Sequence, residues 1–170
     1  MAVRRSAGVL LYRRAADGEI EVLVGHMGGP FWARRDEGAW SLPKGEHGPD
    51  EDPLAAARRE FAEELGVDVP SGPLVDLGTV RQSGGKQVSV WAVEGDLDSA
   101  IAVSNTFSLE WPRGSGRMQE FPELDRLAWL PIAEARRLLV PAQTAFLDRL
   151  QEALVCQLRR RGASQDGAQR

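Results

Sequence analysis

Short apolar segments of the length of β-strands recur along the chain. Residues 6–14, SAGVLLYRR, and residues 20–26, IEVLVGH, flank Asp17-Gly18, a dipeptide with a strong preference for tight turns. These two segments are therefore predicted to form a hairpin. Three further segments have the pattern of strands: 73–82, 87–94 and 127–130. A stretch rich in glycine, proline, arginine and tryptophan, 25–40, is predicted to be a long loop, and such loops are usually functional or disordered.

A helix is predicted over 53–65 because both of its ends carry residues typical of helix termini. Asp52 can accept hydrogen bonds from the free amides of the first turn, and Pro53 suits the first helical position. Gly66 favours termination at this point, since glycine readily adopts the left-handed conformation of a C-terminal cap. Three apolar residues give the helix one face that can pack on a sheet: Leu54, Phe61 and Leu65.

Two further helices are predicted near the end of the chain, at 132–139 and 142–160. Apolar residues recur at helical spacing along the second of them: Leu147, Leu150, Leu154 and Leu158. We interpret this stripe as core packing, with a homodimer surface as the alternative. Residues 161–170 are expected to form a flexible C-terminal tail. Residues 1–160 are predicted to be a single domain, which is the usual arrangement for a chain of 170 residues.

Composition and charge restrict the classes of function. The hydrophobic fraction of 42% and the charged fraction of 27% are those of a globular protein. A net charge of −4 argues against a broad contact with polymeric nucleic acid, which needs a basic face. The single cysteine excludes an internal disulfide, and no apolar run approaches the roughly 18 residues of a membrane span. A cytoplasmic protein without a membrane partner is therefore expected.

The helix predicted over 53–65 places three glutamates on one side. Glu63 and Glu64 follow Glu60 by three and four positions, so the Cβ atom of each lies roughly 5–6 Å from that of Glu60. At an effective dielectric of about 20, each ionised pair at that distance repels by about 3 kcal/mol. A divalent cation would remove the conflict, whereas on a solvated helix face water and salt would screen it. The helix by itself leaves both explanations open.

The residues around the helix favour the cation. Gly45 and Glu51 precede the triplet Arg59-Glu60-Phe61, the pair Glu63-Glu64 and the pair Gly66-Val67 at fixed spacings. This pattern resembles the signature of the Nudix hydrolase family at every specified position. The resemblance covers residues 45–67, and so many fixed residue types at fixed spacing do not coincide by accident.

The resemblance implies an α/β fold, a Nudix-like α/β/α sandwich with a mixed β-sheet between helices. It also implies a Mg²⁺-dependent pyrophosphohydrolase, with Mn²⁺ as a substitute ion. Its substrate would be a small nucleotide, a nucleoside diphosphate linked to another group, in which a phosphoanhydride bond is cleaved.

The resemblance also implies roles for individual residues. Metal binding would fall to four positions of this sequence: Gly45, Glu60, Glu63 and Glu64. Glu60 or Glu64 could also accept the proton of the attacking water, which makes both of them catalytic candidates. Arg59 would orient the carboxylates through charge-assisted hydrogen bonds, and Glu51 would act by ordering the loop before the helix.

Residues before the signature are candidates for substrate binding. Lys44 stands in the sequence PKG, which resembles family members that cleave dinucleoside polyphosphates, and its ammonium group suits a phosphate oxygen. In the long loop, Trp32 could stack on a base, and Arg34 and Arg35 could bind further phosphates. A loop that only covers the core is the alternative for these three residues.

A second acidic segment, QEFPELDRLAWL at 119–130, lies outside the signature. It resembles the region in dinucleoside polyphosphate and RNA 5′-end pyrophosphohydrolases where an acidic residue outside the helix assists catalysis. Glu120 is the first candidate for this role, as an extra ligand or base, and Glu123 is the second. An acidic loop that leads into a strand is the alternative.

Three functions stand as hypotheses. The first is hydrolysis of a nucleotide with a phosphate chain, for example a diadenosine polyphosphate. The second is a nucleotide-sanitising hydrolase that acts on damaged nucleoside triphosphates. The third is a non-catalytic nucleotide-sensing module, because a fold does not fix a function. The complete set of glutamates argues against the third hypothesis, since a pure binding module has no need of a crowded metal cluster.

Overall fold

A mixed β-sheet lies at the centre of the molecule, in a computed structural model that describes residues 2–101 and 104–166. The described residues form nine strands: β1 (Arg5–Arg14), β2 (Ile20–Met27), β3 (Trp40–Ser41), β4 (Lys44–His47), β5 (Val75–Arg81), β6 (Gln87–Glu94), β7 (Thr106–Glu110), β8 (Met118–Pro122) and β9 (Leu124–Pro131). They also form three α-helices: α1 (Pro53–Leu65), α2 (Ile132–Leu138) and α3 (Thr144–Asp166).

Strand β1 organises the seven-stranded sheet. It pairs antiparallel with β2 and β4 and parallel with β6, while β5 extends the sheet beyond β6. On the other side, β2 pairs with β3 and β9, both antiparallel. Strands β7 and β8 form a separate two-stranded sheet. The predicted first hairpin is confirmed, with Tyr12 opposite Val22 and a turn in which Gly18 has a φ of 86°.

The two faces of the sheet bury two hydrophobic clusters. Alternate residues of β1 point to opposite faces, so Val9 packs in the cluster of α1 and Leu10 packs in the cluster that contains α2 and α3 residues. Phe61 and Leu65 of α1 are fully buried in the first cluster. The molecule is therefore an α/β/α sandwich with a mixed sheet between helices, as the sequence predicts.

Helix α1 begins and ends where its capping residues predict. The Asp52 carboxylate accepts a hydrogen bond of 2.9 Å from the amide of Ala55, and Pro53 is the first helical residue. At the other end Gly66 is left-handed, with a φ of 71°, and its amide donates to the carbonyl of Ala62 at 2.8 Å. Residues next to the helix therefore cap both of its ends, and these limits place Glu60, Glu63 and Glu64 in the last two turns.

The end of the chain differs from the sequence prediction. Leu147, Leu150 and Leu154 are buried, but Leu158 is 57% exposed and does not belong to the core stripe. Helix α3 continues to Asp166, so the expected flexible tail over 161–170 is helical as far as that residue, and 167–170 lie outside the described residues. The arginines at 159–161 are good helix formers, which explains the continuation.

Three short elements were not predicted from the pattern. Strands β3 and β4 lie in a stretch that the sequence marks as loop and signature, and the β7–β8 hairpin occupies 106–122. The apolar runs in these segments are too short to show the alternation that predicts a β-strand. None of the helices described in residues 2–101 and 104–166 is long and apolar enough to cross a membrane.

Candidate active site

The glutamates of α1 face a cavity of about 480 Å³. Its walls come from α1, from β4, and from the residues around the start of β9. Seven charged side chains line it: Lys44, Glu46, Glu60, Glu63, Glu64, Lys86 and Glu123. Five of them are acidic and two are basic, so the cavity is polar and has an excess of negative charge.

Two of the signature glutamates are buried. Glu60 is 7% exposed and Glu64 is 5% exposed, whereas the Glu63 side chain is 42% exposed. A Cβ atom on Gly45 would lie 1.9 Å from Oε2 of Glu60, so only glycine permits this approach of the β4 backbone to the carboxylate. Burial of this kind excludes a solvated helix face as the explanation for Glu60 and Glu64.

Arg59 connects the carboxylates to one another. Its guanidinium donates to Glu51 at 3.0 and 3.3 Å, to Glu60 at 2.6 Å and to Glu63 at 3.4 Å. A further bond of 3.4 Å reaches the carbonyl of Glu46. The bond to Arg59 lowers the pKa of Glu51, and Glu51 in turn raises the pKa of Arg59. The arginine therefore stays charged and holds the loop before α1 against the helix.

The carboxylates furthest inside the cavity are hard to ionise. The pKa of Glu64 is raised to about 8, chiefly by burial and also by the charges of Glu123 and Glu60, against the opposing charge of Lys44. The amide of Lys44 donates a hydrogen bond of 3.2 Å to Oε2 of Glu64. Burial also raises the pKa of Glu123, with Glu60 and Glu63 as the neighbouring charges that add to the shift. These groups would ionise together only if further positive charge entered the cavity.

The two lysines supply the positive charge of the cavity. Burial lowers the pKa of Lys44, and the charge of Lys86 acts in the same direction, while Glu64, Glu123 and Glu46 oppose the shift. Nζ of Lys86 lies 3.3 Å from Oε1 of Glu46. Like-charged ammonium groups that line one cavity favour an anionic ligand, and a phosphate chain is one such ligand.

The donor set of the cavity fits a hard divalent cation. Carboxylate and carbonyl oxygens are the ligands that Mg²⁺ prefers, and Glu60, Glu63, Glu64 and Glu123 supply carboxylates to this cavity. Across residues 2–101 and 104–166, no group of three His, Cys, Asp or Glu side chains is arranged so that it could hold a metal ion without rearrangement. The bonds from Arg59 reach one oxygen of each carboxylate, Oε1 of Glu60 and Oε2 of Glu63, and so hold both side chains in place.

The structure separates the two acidic candidates outside the helix. Glu123 lines the cavity, whereas Glu120 lies on the exposed strand β8 and does not. The position of Glu123 is fixed by its backbone: its amide donates to the carbonyl of Asn105 at 2.8 Å, and its carbonyl accepts from Gly28 at 2.9 Å. The first sequence candidate for an additional acidic group is therefore not placed at the site, and the second is.

Among the four candidates for substrate binding, the structure brings Lys44 to the cavity and leaves the other three outside it. Trp32 packs against the hydrophobic core, and the Arg35 guanidinium lies 5.9 Å from its ring. The carbonyl of Arg35 accepts a hydrogen bond of 2.7 Å from the buried His26, which ties the loop to the sheet. Arg34 is exposed on the same loop.

Lys86 and Asn105 also line the cavity, although neither is among the residues predicted for the site. Lys86 reaches the cavity because Arg5 of β1 pairs with both His47 of β4 and Gln87 of β6, which places the end of β4 and the start of β6 at the same end of β1. Asn105 reaches it from the segment before β7 and donates a bond of 3.4 Å to Glu63. Neither residue carries a local sequence signal, since both positions follow from strand pairing.

Comparison with known proteins agrees with the architecture and with the signature. A family profile described as NUDIX domain matches residues 2–150. No match was found among the curated proteins.

Three solved structures are similar to this chain. A Caenorhabditis elegans Ap4A hydrolase binary complex is 22% identical, with a TM-score of 0.59, covering 88% of this chain and 98% of that one. The Mycobacterium smegmatis Nudix hydrolase RenU is 25% identical, with a TM-score of 0.54 and coverages of 89% and 85%. The NUDIX domain of Shewanella oneidensis NrtR, complexed with ADP ribose, is 17% identical, with a TM-score of 0.60 and coverages of 91% and 90%.

Proposed function

The chain belongs to the Nudix hydrolase family, and from that premise we propose that it is a divalent-metal-dependent pyrophosphohydrolase of nucleotides. Its substrate is a nucleoside diphosphate linked to another group. The observation that carries this proposal is the single cavity in which the buried signature glutamates, Glu60 and Glu64, lie beside Gly45 together with Lys44 and Lys86. An acidic floor suits a cation, and the two lysines suit the anionic phosphates that accompany it.

The metal-binding residues of the proposal are Gly45, Glu60, Glu63 and Glu64, with Mg²⁺ as the ion and Mn²⁺ as its substitute. When bound, such an ion makes water easier to deprotonate and offsets charge that develops on phosphate oxygens. Glu60 or Glu64 accepts the proton of the attacking water, and Glu123 is the additional acidic group of the cavity. Arg59 positions the carboxylates, because it contacts Glu60 and Glu63 directly.

Substrate binding in the proposal rests on Lys44 and Lys86, which line the cavity. Their ammonium groups bind the oxygens of a phosphate chain. A dinucleoside polyphosphate is the favoured substrate, since the PKG sequence at Lys44 resembles enzymes of that specificity. The fold similarity to an Ap4A hydrolase is consistent with this choice.

A substrate panel tests the proposal. The protein is incubated with dinucleoside polyphosphates, nucleoside diphosphate sugars and nucleoside triphosphates in the presence of Mg²⁺, and the products are identified by mass in heavy-oxygen water. Two nucleotides released from a dinucleotide would support the favoured substrate. Monophosphate plus pyrophosphate released from a triphosphate would instead support a nucleotide-sanitising enzyme. Binding of these nucleotides without turnover of any of them would contradict both and would indicate a sensing module.

Substitution of the helix glutamates tests the role of the cavity. Glu63→Gln and Glu64→Gln each remove a carboxylate at nearly constant size and are expected to lower kcat by roughly 10²–10³-fold without unfolding the protein. Glu94→Gln, at the exposed end of β6, is the matched control and should behave as the unmodified protein. Full activity in both helix variants would rule out the proposed metal site.

A further inference from the structure

The second half of α3 is a helix without a buried face. Phe146, Leu147, Leu150 and Leu154 are buried against the sheet, but no side chain from Val155 to Ser164 is. From Val155 to Asp166 the helix continues for about 18 Å at 1.5 Å per residue. The buried first half of α3 nucleates the helix, so the extension can propagate from it without packing of its own. Its exposed side chains can therefore contact a partner.

The exposed face of this extension carries large apolar side chains. Val155 is 49% exposed and Leu158 is 57% exposed. They lie at the edge of an open groove of about 570 Å³, whose floor is largely apolar and includes Ile20, Pro131 and Ile132. Two large exposed apolar side chains about one helical turn apart, beside a groove with an apolar floor, are a candidate contact site.

The spacing of the exposed residues indicates what kind of element covers them. Gln151, Val155, Leu158 and Gly162 follow one another at intervals of four, three and four positions, and we call this row the α3 seam. Intervals of four and three are the repeat by which one helix packs lengthwise along another. Gly162 adds no side chain, so a second helix can approach closely at that end.

The charges beside the α3 seam identify the second helix. Glu152 and Arg159 are both exposed, lie on the same flank of the seam and are seven positions apart. When two such helices run antiparallel about a two-fold axis, residues of the same flank face each other, so Glu152 of each copy faces Arg159 of the other. Within the part of the chain that the structure describes, neither side chain has an ion-pair partner. One helix thus offers both members of the pair.

We propose that the chain forms a homodimer in which the α3 helices of two copies pack antiparallel along the α3 seam. Val155 and Leu158 of the two copies fill the centre of the interface, and Glu152 and Arg159 form two symmetric ion pairs across it. A second copy of this chain is the partner because the surface is complementary to itself, as an interface about a two-fold axis requires. The α3 seam shares no residue with the cavity that contains Glu60 and Glu64.

Sedimentation velocity and light scattering over a range of protein concentrations test the apolar part of the interface. The protein is expected to sediment as a dimer, and Leu158→Glu is expected to raise the dimer dissociation constant at least tenfold. Because Leu158 is exposed, the variant should keep its thermal midpoint at concentrations at which both proteins are monomeric. A protein that stays monomeric at every concentration would overturn the proposal.

Charge reversal tests the antiparallel pairing. Arg159→Glu and Glu152→Arg each place like charges opposite one another and are expected to weaken the dimer, whereas the double variant restores the pairs and should restore dimerisation. Arg160→Glu makes the same charge change on the side of α3 that faces away from the seam, and it serves as the control. The arrangement would be contradicted if Arg159→Glu and Arg160→Glu weakened the dimer equally. It would also be contradicted if the double variant dimerised no more tightly than the single variants.

Discussion

Burial changes the chemistry of individual glutamates in this protein. Glu64 is 5% exposed, and burial raises its pKa to about 8, with Glu123 and Glu60 as further causes. A carboxyl group in that state holds its proton near neutral pH until positive charge enters the cavity. Binding of a cation and loss of the proton are therefore coupled at this residue.

The pair Glu123 and Glu120 allows one substitution to be compared inside and outside the cavity. Glu123→Gln removes an acidic group from the cavity wall and is expected to lower kcat/KM by about 10-fold to 100-fold, in the range seen when groups around a metal site are removed. Glu120→Gln should change it less than about twofold. Steady-state kinetics of each variant, measured over a range of Mg²⁺ concentrations, provide the measurement. Equal loss of activity in the two variants would contradict the assignment of Glu123.

At the scale of secondary structure elements, the site depends on how closely α1 approaches β4. The carboxylate of Glu60 lies against the backbone of Gly45, and the amide of Lys44 in the same strand donates to Glu64. Strand β4 is itself held by β1, where Gly45 is opposite Ala7. The closeness of helix and strand therefore decides where the carboxylates point.

Adding one methyl group between these two elements tests that dependence. Gly45→Ala would place its Cβ atom 1.9 Å from the Glu60 carboxylate, so Glu60 must move. The variant is expected to lose at least about tenfold in kcat/KM and roughly 1–3 kcal/mol of stability through overpacking. Thermal melting and kinetics provide the measurement.

Gly48→Ala is the control for this variant. Gly48 follows β4 by one residue, and an added Cβ there would meet nothing within 4 Å. It should leave both activity and the thermal midpoint close to those of the unmodified protein. A Gly45→Ala variant that behaves like Gly48→Ala would show that the contact between helix and strand does not control the site.

At the scale of the whole molecule, the fold brings charged residues from four distant parts of the chain into one cavity. Lys44, Glu64, Lys86 and Glu123 come from β4, α1, the start of β6 and the segment before β9. They meet because β1 pairs with both β4 and β6, and β2 carries β9 on the other side. The stability of the fold is therefore linked to the ionisation of this cavity.

That linkage predicts how the stability of the metal-free protein depends on pH. The pKa of Glu64 is about 8 in the folded chain and near 4.5 when the residue is unperturbed, so between these values the folded state holds a proton that the unfolded state has lost. Stability is then expected to fall as pH rises from about 4.5 to 8, by up to about 1.4 kcal/mol per pH unit for this group.

Chemical denaturation across this pH range provides the measurement. Glu64→Gln removes the titrating group, so its stability should fall less steeply with pH than that of the unmodified protein. Saturating Mg²⁺ should flatten the dependence of the unmodified protein, because a cation favours the ionised carboxylate and stabilises the fold by binding to it. Parallel curves for the unmodified protein and Glu64→Gln would contradict the assigned pKa shift.

Elements with local signals in the sequence were predicted correctly. The hairpin around Asp17-Gly18 and the limits of α1 were predicted correctly because turn and capping residues act within a few positions. The spacing of the signature over 45–67 identified the family for the same reason, since Gly45, Arg59 and the glutamates form one short segment around one helix.

Which distant residues join that segment depends on the folded arrangement of the strands. Glu123 rather than Glu120 lines the cavity, and Lys86 enters it, because strand pairing sets both positions and no local pattern records strand register. Leu158 continues the leucine spacing of α3, yet it is 57% exposed whereas Leu147, Leu150 and Leu154 are buried. Helical periodicity shows which side chains share a face, whereas burial of that face depends on what the rest of the chain places against it.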